Sequence, residues 1–90
     1  MNTMYTILYN ETLQAISCLE GGLIAFNNRF TEHNKQELGR YIKELDKITL
    51  EFELCYKGPM LVKLELLQKA QHVRDEAIIA IYEFNQLSSI

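Results

Sequence analysis

Tyr56-Lys57-Gly58-Pro59-Met60 carries the only proline of this 90-residue chain. Apolar residues recur at helical spacing on both sides of it. A glycine closing one helix and a proline opening the next mark a helix–helix corner. Glycine at C′ enters the left-handed region at little cost, and proline at N1 gives up an N–H that has no partner there. The five residues therefore predict a hairpin of two antiparallel helices, with Gly58 left-handed and Pro59 as the first residue of the second helix.

Upstream of the corner, Leu38, Tyr41, Ile42, Leu45, Ile48, Thr49, Phe52 and Cys55 keep three-four spacing, while Arg40, Lys43, Glu44, Lys47 and Glu51 occupy the other face. Arg40/Glu44 and Lys47/Glu51 stand four apart with opposite charge, which adds about 0.2–0.5 kcal/mol per pair. Thr31 or Asn34 can cap this helix, and Asn34 followed by Glu37 resembles a capping box. The predicted helix is about 24 residues and roughly 35 Å long.

Downstream, Val62, Leu66, Ala70, Val73, Ala77, Ala80, Phe84 and Leu87 form one stripe, widened by Leu67 and Ile81. Ile78, Ile79 and Tyr82 make this helix more apolar near its C-terminal end than one packed face needs. The first segment, Thr3 to Asn28, carries a broad helical face from Tyr5 and Leu8 to Leu23 and Phe26. Its opening Met4–Tyr9 is also rich in strand formers, so a short N-terminal strand in an α+β fold is the alternative. Ala15, Cys18, Gly22 and Ala25 form a stripe of small residues suited to close approach of another helix, such as the one carrying Ala70, Ala77 and Ala80. Asn27 to Thr31 reads as a turn. The expectation is one all-α domain spanning residues 1–90, an elongated antiparallel three-helix bundle.

Composition narrows the function classes. The chain is 48% hydrophobic and 23% charged, with a net charge of −3 and a pI near 5.3. Nine Lys and Arg interleave with twelve Asp and Glu, so no helix offers a basic face for nucleic acid. No apolar run approaches the ~20 residues of a membrane span, and no Lys-rich amphipathic face suits a membrane surface. Cys18 and Cys55 lie on separate helices in apolar or small-residue stripes, where buried, reduced and inert thiols of a cytoplasmic protein are expected.

Candidate chemistry is sparse. His72 and Glu76 stand four apart with Glu65 two turns earlier, a conceivable metal set or enzyme site. A carboxylate-bridged di-metal bundle needs Glu-x-x-His on two helices, and neither His72 nor His33 has a glutamate three residues before it. His72 also falls on the charged outer face. The expectation is no catalytic residue, no cofactor and no metal.

Protein–protein contact remains. Tyrosine and phenylalanine in over-wide apolar bands commonly anchor interfaces, which singles out Ile78, Ile79 and Tyr82, together with Tyr5 and Tyr9. The predicted role is a small regulator, inhibitor or adaptor that binds another protein and pairs as a homodimer. The runs Leu19-Glu-Gly-Gly-Leu23 and Ile81-Tyr-Glu-Phe84, with the helix pair around Gly58, resemble small helical export chaperones such as the flagellin chaperone, although the helix lengths depart from that pattern. The resemblance implies an export-type chaperone as the alternative.

Overall fold

In a computed structural model describing residues 3–88, three helices follow one another: α1, Thr3–Asn28; α2, Glu32–Cys55; and α3, Met60–Ser88. They run antiparallel in an all-α bundle of 53 × 17 × 17 Å. The initial stretch Met4–Tyr9 is helical, so its strand formers yield to the tertiary packing of the helix they begin.

Burial follows a heptad. Thr12, Leu19 and Phe26 on α1 and Leu38, Leu45 and Phe52 on α2 are seven apart and almost wholly excluded from solvent. That repeat is the signature of side-by-side helices with knobs-into-holes packing. On α3 the core positions are Leu66, Ala70, Val73, Ala77 and Ala80. These side chains pack on a layer built mainly from the larger residues of α1 and α2, which are the most closely associated pair of helices in the bundle. Aromatic clusters close both ends. Phe52, Tyr56 and Tyr5 meet at one, with centroids 4.5 and 5.5 Å apart. Phe26, Phe30 and Phe84 meet at the other, at 4.5 to 5.5 Å. The only fully buried polar side chain in the described core, Thr12, donates its hydroxyl hydrogen to the Leu8 carbonyl at 2.8 Å.

The turn between α1 and α2 is organised by Thr31 and Asn34. Thr31 is the N-cap, its Oγ1 accepting from the Asn34 N–H at 3.2 Å. The Asn34 side-chain amide donates to the Arg29 and Ala25 carbonyls at 3.0 and 3.4 Å, adding to the backbone bonds those carbonyls already accept from the Thr31 and Arg29 N–H groups. The anticipated Asn34/Glu37 capping box does not form, because Thr31 already caps the helix. Glu37 instead pairs with Arg40. That geometry also replaces the expected Arg40/Glu44 pair.

At the corner, the hairpin is present but its conformation differs from expectation. No described residue has a positive φ, Gly58 included. Tyr56, with φ −77° and ψ 118°, ends α2 in an extended conformation, and Pro59 precedes α3 at the N-cap, its carbonyl accepting from the Lys63 N–H at 3.1 Å. Tyr56 turns its ring back under the corner to stack on Phe52. A Cβ on Gly58 would lie 2.5 Å from that ring, so glycine is required by space rather than by φ. Lys63 Nζ donates to the Glu53 carbonyl at 2.7 Å, placing a cation at the C-terminal end of α2 where the helix dipole favours it.

The small stripe of α1 packs differently from expectation too. A Cβ on Gly22 would meet the Tyr41 ring at 2.7 Å, and Cys18, Gly22 and Ala25 line a groove with Glu37 and Tyr41. The stripe thus accommodates the Tyr41 side of α2, not the alanines of α3. The physical reason is the bulk of Tyr41, which can lie flat only against glycine.

Candidate functional site

The residue types that could carry chemistry do not converge. His72 and Glu76 pair with each other on the exposed face of α3, and Glu65 does not complete a site. Among the described residues no group of three His, Cys, Asp or Glu side chains is placed to hold a metal ion. Cys18 and Cys55 are free and exposed, which corrects the expectation of buried thiols. Cys18 sits beside Tyr41 in an open groove between α1 and α2. Cys55 sits at the last turn of α2, where the chain leaves for the corner.

Charged pairs act as fastenings. Arg74 makes a two-pronged contact with Asp46, Nε to Oδ1 at 2.7 Å and Nη2 to Oδ2 at 3.2 Å, tying α3 to α2 across a groove lined by Thr49, Glu53 and Gln71. This pairing raises the guanidinium pKa above its ordinary value. The Arg40 side chain hydrogen-bonds Glu37 and lowers that carboxyl's pKa, while its guanidinium lies 5.1 Å from the Tyr41 ring centroid.

The distinctive surface is apolar. Among the described residues fourteen large hydrophobic side chains are exposed, and eight of them lie at the end of the bundle that holds the Gly58-Pro59 corner. Met4 and Ile7 come from α1, Leu50 and Leu54 from α2, and Met60, Leu61, Val62 and Leu64 from α3, so every helix contributes. Beside them opens a groove of about 570 Å³ lined by Tyr5, Thr6, Tyr9, Tyr56, Gly58, Pro59 and Val62. Its volume falls in the range of ligand and side-chain pockets, and its walls are mostly ring and aliphatic carbon.

The candidates singled out from sequence divide between the two ends. Tyr5 and Tyr9 are half-buried and form one wall of the corner groove. Ile78, Ile79 and Tyr82 are exposed on α3 towards the opposite end, near the Phe26–Phe30–Phe84 cluster. The fold does not bring the two sets together. Sequence reading missed Tyr56, Leu50, Leu54 and Leu61. The available signals were Leu50 and Leu54, four apart and off the α2 core stripe, and the run Met60-Leu61-Val62, which is apolar on all sides of a helix.

Comparison of the chain with family models, with curated proteins and with solved structures returns no match.

Proposed function

We propose that this protein is a small non-enzymatic interaction module that binds another protein through its apolar helix faces, as a regulator, inhibitor or adaptor. The observation that carries the reading is the concentration of exposed Met, Ile, Leu and Val side chains from all three helices at the corner end. Single exposed apolar residues are ordinary on a protein surface; eight at one end, together with an apolar groove at that end, favour a contact site there. Tyr5 and Tyr9 serve as groove-wall anchors. Ile78, Ile79 and Tyr82 form a second contact surface that pairs two copies of the chain. With free thiols at Cys18 and Cys55, the module acts in the cytoplasm.

The test is capture from the cell that makes the protein. Tagged wild-type chain should retain one protein in near-stoichiometric amount, and Leu54→Glu should lose it while keeping the helical circular dichroism of the wild type. Retention of the same protein by Leu54→Glu, or retention of nothing by the wild type, would remove the basis for this assignment.

A further inference from the structure

We infer that α3 pairs with α3 of a second copy, antiparallel, along a stripe that faces away from its own core. The stripe runs Leu61, Leu64, Gln68, Gln71, Asp75, Ile78 and Tyr82, an alternating three-four spacing that keeps one straight seam on a helix. Every member is exposed, Leu61 and Tyr82 at its ends by 75% and 62%. The core positions Leu66, Ala70, Val73, Ala77 and Ala80 lie on the opposite side of the same helix. So α3 carries two seams, and the bundle uses only one.

The order of residues selects the occupant. The outer seam reads apolar, apolar, polar, polar, polar, apolar, apolar, and this order is the same from either end. A two-fold axis near Gln71 sets Leu61 and Leu64 of one copy against Ile78 and Tyr82 of the other, with polar side chains meeting in the middle. Isologous pairing of this kind is the commonest form of self-association. The direction follows from charge. A parallel, in-register pair would place Asp75 against its own copy, a like-charge contact at the centre of the interface. The antiparallel pair separates the two carboxylates, and Gln71 Nε2 already donates to Asp75 Oδ1 at 2.8 Å to hold that polar middle in place.

This pairing rests on the self-association surface of the proposed function, extends it from Ile78 and Tyr82 to Leu61 and Leu64, and leaves Met4, Ile7, Leu50 and Leu54 at the corner end to a different protein. Light scattering of the full chain at about 100 µM should give a dimer, twice 10.5 kDa. Ile78→Glu and Tyr82→Glu should each weaken the dimer about a hundredfold, since the change occurs twice per interface. Asp75→Leu should strengthen it about tenfold. In a Cys18→Ser/Cys55→Ser background, Gln71→Cys near the axis should oxidise to a covalent dimer. Leu61→Cys should not, because the two copies of residue 61 stand roughly 30 Å apart in the antiparallel pair. A monomer at that concentration, a dimer indifferent to Ile78→Glu and Tyr82→Glu, or ready cross-linking through Leu61→Cys would each overturn the proposal. Ile78→Glu should still capture the corner-end partner, so failure of the self-pairing is distinguishable from failure of the interaction reading.

Discussion

Two adjacent glycines in α1 should respond to the same substitution with opposite sign. Gly21 and Gly22 lie mid-helix, where replacing glycine by alanine gains about 1 kcal/mol of helix propensity. A Cβ on Gly21 meets nothing within 4 Å, so Gly21→Ala should gain most of that amount. A Cβ on Gly22 would lie 2.7 and 3.0 Å from two carbons of the Tyr41 ring and 3.5 Å from Leu38 Cδ1. Ordinary carbon–carbon contact is about 3.5–4.0 Å, so the methyl overlaps the ring by roughly 1 Å. Tyr41 is half-buried and cannot simply swing into solvent without losing its place beside Arg40. Overpacking of this kind costs about 1–3 kcal/mol. The net for Gly22→Ala is a loss of about 0–2 kcal/mol, and the neighbouring variants should differ by about 1–3 kcal/mol. Urea denaturation followed by circular dichroism resolves such a gap, which corresponds to several degrees in Tm for a domain of this size. If Gly22→Ala stabilises the protein as much as Gly21→Ala does, the close approach of α1 and α2 at Tyr41 is wrong.

Other perturbations probe other parts of the fold. Thr31→Ala removes the side-chain acceptor at the start of α2 and should cost about 1 kcal/mol in the same denaturation assay, while Thr31→Asp should retain stability. Hydrogen bonding from Arg40 depresses the Glu37 carboxyl's pKa in the folded chain, so its contribution is present above the unfolded carboxylate pKa. That contribution is lost as pH falls through the folded value; Glu37→Gln should flatten this part of the stability–pH curve by slightly lowering the neutral plateau, and should leave stability below the folded pKa unchanged. A thiol reagent should label both Cys18 and Cys55 in the native protein, at rates close to those of the urea-unfolded chain.

Most of the architecture was legible because its punctuation is local. Asn27-Asn28 and Gly58-Pro59 bracket the helices, and three-four spacing assigns a core side to each. The conformation of the corner was not legible, because it depends on Tyr56, which turns inward to stack on Phe52 and thereby fixes what can occupy position 58. The fate of the small stripe was equally hidden: nothing in Ala15, Cys18, Gly22 and Ala25 says that the facing residue is Tyr41 rather than an alanine of α3. Cys55 shows a limit of periodicity, since a position in phase with the stripe is exposed once the helix ends beneath it. The interaction surface was partly legible. Ile78, Ile79 and Tyr82 stand out on one helix, but Ile7, Leu54 and Leu61 belong to three different helices and share an end only after the chain has doubled back twice.

The reading that the corner end is the partner-binding surface is tested most directly by quantitative capture with matched charge substitutions at the two ends of the bundle. Leu54→Glu and Ile24→Glu replace comparably exposed side chains, 64% and 62%, at opposite ends. Both should keep wild-type helicity. Leu54→Glu is expected to lose the retained protein and Ile24→Glu to keep it at wild-type stoichiometry. Loss with Ile24→Glu and retention with Leu54→Glu would contradict the assignment.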